Sequence, residues 1–135
     1  MKSAYAIVLA ILALALLPSV GAVVPGTPIV AGPGAWVTDY ATKVASVQIG
    51  GEITLANGDI MRHDVVASDA FGDGGRPWCS LFPVGRCPIF WSPLTSLGET
   101  TTVQGTDQLA PATVYAFYCT LHPQMKGTLV ALPAP

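Results

Sequence analysis

The sequence carries few residues able to bind a metal or do chemistry. Its 135 residues include two His, three Cys and three Met, with six Lys+Arg against eight Asp+Glu. Charged residues make up 10% of the chain, against roughly 25% in an average soluble domain. A formal charge of -2 excludes a basic, phosphate-tracking surface, so no nucleic-acid partner is expected. Three cysteines cannot staple a disulfide-rich scaffold, and two histidines cannot furnish a multi-metal oxidase. Disorder is excluded from the other side, because 51% of the residues are hydrophobic and a chain so apolar can build a core. The length suits one domain.

Part of the apolar excess is local. Lys2 is the only charge before Asp39, and Ala4 to Leu17 is an unbroken run rich in Ala, Leu, Ile and Val. Pro18 interrupts it, and Val20-Gly21-Ala22 ends it on small residues. A basic tip, an apolar stretch and a small-residue end identify residues 1–22 as a secretory signal. The apolar stretch continues to Val24, roughly the length that spans a bilayer, so the alternative is a retained anchor. A membrane is a partner only in that second case. Either way the rest of the chain is expected outside the cytoplasm: in the periplasm, extracellular, or on the outer face of the cytoplasmic membrane.

Residues 23–42 read as a lead-in, with Gly, Pro and Thr crowding Val24 to Gly34. From Lys43 onward the pattern is that of strands, and residues 43–135 form the expected domain. Ala45, Val47 and Ile49 alternate with Ser46 and Gln48, and Gly50-Gly51 breaks the run. Ile53 and Leu55 alternate with Glu52 and Thr54 before Asn57-Gly58. Met61 to Ala67 predicts a strand with Met61, His63, Val65 and Ala67 on one face, and Thr113 to Tyr118 and Thr128 to Leu132 predict two more. No amphipathic helix is visible. Short strands separated by turn dipeptides predict an all-β sandwich or barrel.

Residues 68–98 break this rhythm. Asp69 to Pro77 is rich in Gly and Asp, and Trp78, Phe82, Phe90 and Trp91 follow among Pro83, Pro88 and Pro93. The segment reads as a long irregular insertion with its own small aromatic cluster. Cys79 and Cys87 bracket its middle, and in an oxidising compartment the expected state is a disulfide, contributing about 2 kcal/mol. The alternatives are two free thiols or two metal ligands.

That pairing leaves Cys119 alone in an exported chain, where a bare thiol oxidises. Its neighbours give it a use. Tyr118-Cys119-Thr120-Leu121-His122-Pro123-Gln124-Met125 presents Cys-x-x-His-x-x-Met in one short turn. Thiolate, imidazole and thioether are soft or borderline donors that suit copper, and two His with one Cys and a weak axial Met form an electron-transfer copper site. The second imidazole has one source, His63. Zinc would need Cys79 and Cys87 as well. A Cys-His nucleophile would need an orienting third partner that nothing nearby supplies. Haem attachment needs Cys-x-x-Cys-His, which is absent.

These residues resemble the cupredoxins, the plastocyanin, pseudoazurin and amicyanin group of small blue copper proteins. Tyr115 to Gly127 is similar to the family's C-terminal signature. Gly51 to Asp59 followed by His63-Asp64-Val65-Val66 is similar to its upstream strand, Asn-x-Asp turn and first ligand. The resemblance spans about residues 43–132. It implies a Greek-key β-sandwich holding one copper ion, Cu(I) or Cu(II), on His63, Cys119, His122 and Met125, with Met125 axial. It implies a monomeric one-electron carrier rather than an enzyme, with redox proteins as partners and His122 as the electron exit. The alternative function is non-redox copper storage or delivery; a weaker one is an interaction module whose metal site has changed role. Two departures stand out. Asp64 replaces an Asn that ties the two ligand loops, and an ionised carboxylate cannot donate a hydrogen bond. The insertion 68–98 is also longer and more aromatic than the family's usual crossover.

Overall fold

Short runs of alternating apolar residues become the strands of two sheets. The computed structural model describes residues 25–134, so the expected signal, residues 1–22, lies outside the described residues. The strands are β1 (Ile29–Ala31), β2 (Val44–Gln48), β3 (Thr54–Asn57), β4 (Val66–Ala67), β5 (Thr100–Thr102), β6 (Thr113–Tyr118) and β7 (Lys126–Leu132). Helical structure among the described residues is confined to two single turns, Pro77–Leu81 and Thr106–Gln108. No described helix is long and apolar enough to cross a membrane.

One sheet has the order β1-β3-β5, with β1 parallel and β5 antiparallel to β3. The other has the order β2-β7-β6-β4, with β2 parallel to β7 and the remaining pairs antiparallel. Strand side chains alternate between faces, and the inward set is apolar apart from Asn57 of β3, whose amide donates to Met61 O and Thr95 O. Ile29, Ala31 and Leu55 from the first sheet and Ala45, Val47, Tyr115, Phe117, Leu129 and Ala131 from the second share one core. Each large aliphatic or aromatic side chain among them contributes about 1.5–3 kcal/mol by leaving water. Tyr40 closes this core edge-on to Phe117, ring centroids 5.2 Å apart. Gly127 is required opposite that ring, since a Cβ there would lie 2.2 Å from the tip of Phe117.

Three expectations are corrected. The lead-in is not free of regular structure: Ile29–Ala31 pairs in register with Leu55, Ala56 and Asn57. Bounded by Pro28 and Gly32, it is too short to show a period in sequence. Met61 to Ala67 is not one strand either. Only Val66–Ala67 qualifies, Met61 is exposed, and His63 makes a single bridge to Thr95. Strict alternation fails because both faces are covered: Val65 and Val66 are each fully buried; beside them, Trp91 bridges to Val66 and the Ser92 N–H donates to Val65 O at 2.8 Å. Finally, β7 begins at Lys126 rather than Thr128, because its pairing with β6 runs to Tyr118.

The insertion is irregular, as its composition predicts. Cys79 and Cys87 form a disulfide, Cα atoms 4.9 Å apart. Trp78 stacks on Trp91 with centroids 6.2 Å apart and planes at 10°, and its Nε1–H donates to Pro88 O at 3.0 Å. The aromatic cluster is not self-contained, however. Phe90 is fully buried and meets Tyr115 of β6 edge-on at 6.1 Å, so it belongs to the sandwich core. The insertion is seated where Gly105 adopts φ +97° and a Cβ would lie 2.2 Å from Ile89 O.

Candidate metal centre

The inward alternation of β6 continues one residue past its end. Tyr115 and Phe117 point inward, and Cys119 follows them, fully buried. The chain then reverses through residues 119–125 into β7. The Met125 N–H donates to His122 O at 2.8 Å and the Cys119 N–H to Met125 O at 3.2 Å, which closes the turn. His63 arrives from the segment leading to β4, tied to Thr95 by two backbone hydrogen bonds of 3.2 and 2.8 Å.

These elements bring together residues far apart in sequence. Cys119 Sγ lies 3.7 Å from His63 Nδ1 and 3.7 Å from His122 Nδ1, and the three donor atoms lie within 4.8 Å of one another. His63 is fully buried and His122 half-buried. Met125 is fully buried in the same turn. A metal held about 2.0–2.1 Å from nitrogen and about 2.3 Å from sulfur, with donors spread in a plane, separates them by about 3.7 Å. The donor set therefore fits a metal, and its softness fits copper. Zinc loses its remaining cysteines, because Cys79 and Cys87 are bonded to each other.

Two carboxylates orient the donors. His63 Nε2–H donates to Asp59 Oδ2 at 2.8 Å. That bond places the proton on Nε2 and leaves the Nδ1 lone pair facing Cys119. Asp59 also accepts the backbone N–H of Gly34 (3.1 Å), Trp36 (3.3 Å) and Ile60 (2.8 Å). Burial alone would raise the Asp59 carboxyl, but these donors, His63 first, hold it below the usual carboxylate range. The sequence contains Asp59 within the Asn57-x-Asp59 turn, four residues before His63, and that spacing is the signal by which its role could have been found.

Asp64 supplies the tie between the ligand segments, with its polarity adapted to a carboxylate. Its Oδ1 accepts the Thr120 N–H at 2.7 Å and its Oδ2 accepts the Thr120 hydroxyl at 2.5 Å. The carboxylate has no need to donate, since Thr120 provides both protons. The Tyr40 hydroxyl donates to the backbone carbonyl of Asp64. Burial, reinforced by the negative charges of Cys119, Asp64 and Asp39, keeps that phenol protonated. Burial also pushes the Cys119 thiol up. The backbone N–H groups of Asp64, His122 and Leu121 oppose this without cancelling it, so a cation is needed to hold Cys119 as thiolate.

A third segment braces the turn from outside. Gln124 Nε2–H donates to Trp36 O at 2.8 Å, and the Lys126 N–H donates to Asp39 Oδ1 at 2.8 Å. Residues 34–39, which the sequence offers only as lead-in, thus contact both ligand-bearing segments.

No family model matches this sequence, and no curated protein matches it. Solved structures do. The purple cupredoxin from Nitrosopumilus maritimus superposes with a TM-score of 0.52 at 19% identity, covering 78% of this chain and 98% of that one. A copper(I) form of an amicyanin variant gives 0.52 at 18% identity over 77% of this chain and 79% of that one. An oxidised amicyanin variant gives 0.52 at 20% identity over 87% and 88%. The fold is cupredoxin-like, and with the cluster of His63, Cys119, His122 and Met125 it points to one copper ion.

Proposed function

We propose that this chain is a type 1 (blue) copper protein that carries single electrons between redox proteins outside the cytoplasm, as a monomer and without enzymatic turnover. The observation that carries the reading is the pair of equal 3.7 Å approaches of two imidazole Nδ1 atoms to one buried cysteine sulfur. Bound copper, cycling between Cu(I) and Cu(II), supplies the redox chemistry.

The protein's own residues do the rest. His63, Cys119 and His122 would hold the ion, with Met125 as a further, weaker sulfur donor, and backbone hydrogen bonds of the bridge to Thr95 and of the turn fix His63 and Cys119. A site so held changes little between oxidation states. His122 is the electron exit: it is half-buried, between exposed Leu121 and Pro123, which form the docking patch for a partner. Export is supported by the basic tip and apolar run of residues 1–22 and by a disulfide at Cys79–Cys87.

The test is purified protein given cupric ion. An intense blue thiolate-to-copper band, followed by reversible one-electron voltammetry, is the expected result. A colourless protein that holds only cuprous ion would make it a copper store instead.

A further inference from the structure

The donor cluster occupies one end of the sandwich, and the insertion reaches the other. β7 runs away from the cluster from Lys126 to Leu132 with β2 parallel to it, so Gln48 and Leu132 mark the far end. A strand of 7 residues, at about 3.3 Å each, puts the two ends about 20 Å apart. Pro25, the first described residue, enters at the far end: it bridges to Glu52, and the Gly26 N–H donates to Glu52 O at 2.6 Å. The apolar run of the sequence ends at Val24, immediately before this point of entry. Beside Glu52, the Thr106 hydroxyl donates to Gly51 O at 2.7 Å. The turn Thr106–Gln108 in turn holds the insertion: Asp107 pairs with Arg76, and the Asp73 N–H donates to Gln108 Oε1 at 2.7 Å.

The insertion carries an apolar tip. Leu81 is 65% exposed, Val84 is fully exposed, and Pro83 beside it is exposed too. The tip is stiff. The Cys79–Cys87 disulfide closes it, the Phe82 N–H donates to Cys79 O at 3.1 Å, and the Arg86 N–H donates to Pro83 O at 3.0 Å. A protrusion fixed in advance loses little freedom on binding. Leu81, Pro83 and Val84 have no side-chain hydrogen-bonding group, so the tip has no polar pattern for a protein pocket to read. A lipid surface asks only for apolar area. Charge gives no help at this end, where Glu52, Asp73 and Asp107 offset Arg76 and Arg86.

We infer that the end opposite the donor cluster rests on a lipid bilayer: the apolar run up to Val24 is retained as an anchor, and the tip at Leu81 and Val84 enters the bilayer surface beside it. An anchor holds the tip at a high local concentration, so a small apolar contact suffices. Two points of attachment fix an orientation that one would leave free, and that orientation turns His122 toward water. The inference does not depend on the copper reading, since it concerns the end of the sandwich that carries no donor atom.

The experiment places the full, metal-free chain in phosphatidylcholine nanodiscs that contain a lipid with a nitroxide on its acyl chain, and records backbone amide signals by nuclear magnetic resonance. The signals of Leu81, Val84 and Gly85 are lost to the nitroxide, while those of Leu121 and Gln124 remain. The pattern is the same in phosphatidylglycerol nanodiscs and at high salt, because the contact is apolar. Leu81→Asp with Val84→Asp alters exposed side chains and leaves the fold intact, and in that variant the Gly85 signal returns. A Gly85 signal that persists in the wild type overturns the inference and leaves the tip to a protein partner. Loss at Leu121 and Gln124 instead, or an unchanged loss at Gly85 in the double variant, also overturns it. So does an exported chain that begins after Ala22 and fails to float with phosphatidylcholine vesicles.

Discussion

Two irregular regions rest on the same sandwich and are secured in different ways. The donor cluster has no covalent tie. It is held by directional hydrogen bonds from distant parts of the chain: Asp64 to Thr120, Asp59 to Gly34 and Trp36, and Gln124 to Trp36. The insertion 68–98 has a disulfide and a stacked pair of indoles, and it leaves Leu81 and Val84 exposed. A cross-link restricts the unfolded chain but aims no side chain, whereas a hydrogen bond to a buried group fixes a direction. Directional bonds sit where donor atoms must converge. The cross-link sits in a loop that carries none of the donor atoms.

That contrast can be broken at several points. The largest effect is expected from Cys119→Ser, which removes the sulfur at the centre of the cluster and abolishes the blue band while leaving far-UV circular dichroism unchanged. Residual blue colour would place the thiolate elsewhere. Next is the seam between insertion and sandwich. Gly105→Ala forces a side chain onto a positive φ and against Ile89 O at 2.2 Å, and is expected to cost about 3 kcal/mol or more in urea unfolding. A cost near zero would show the seam to be pliable. Smaller again is Cys79→Ser with Cys87→Ser: stability falls by about 2 kcal/mol, and the copper absorption stays at the same wavelength. A displaced band would mean that the insertion does aim the ligands.

The smallest effect is a pH dependence. Burial raises the Asp39 carboxyl, but hydrogen bonds from Lys43 and from the backbone of Lys126 and Tyr40 outweigh it, so its folded pKa is lowered. A lowered carboxyl contributes stability that is fully present above its unfolded value, about 3.9, and is lost as pH falls through the folded one. The stability gap between wild type and Asp39→Asn should therefore be constant above about pH 5 and shrink below about pH 4. A gap that widened in acid would remove Asp39 from the brace on β7.

What the sequence disclosed follows from how local each signal is. The alternation in Ala45-Ser46-Val47 and in Thr113 to Tyr118 is local, and the strands lie where it places them. The Cys119-x-x-His122 spacing is local too, and the turn brings the two side chains together. His63 is singled out by the scarcity of histidine and by the strand and Asn-x-Asp turn before it, but its distance of 56 residues from Cys119 is bridged only by the fold. Asp59 has a local signal in its spacing to His63, and Asp64 stands where the resemblance places the tie between loops, but their partners Gly34, Trp36 and Thr120 meet them only after folding. Val65-Val66 misled for a related reason. Both side chains are fully buried, and a segment buried on both sides has no period of two to read.

The position of β7 has a consequence for timing. It is the last strand in chain order, yet it lies between β2 and β6, with Val44 to Gln48 paired along it on one side and β6 on the other. Its neighbour β2 must wait for nearly the whole described chain before it finds its partner. Pairings so distant in sequence make a fold slow to form. The turn carrying Cys119, His122 and Met125 links β6 to β7, and His63 stands just before β4, which pairs with β6 on its other side. The donor atoms are together only where β4, β6 and β7 are all in place, and a chain lacking one of these pairings presents a thiol and two imidazoles, but no site.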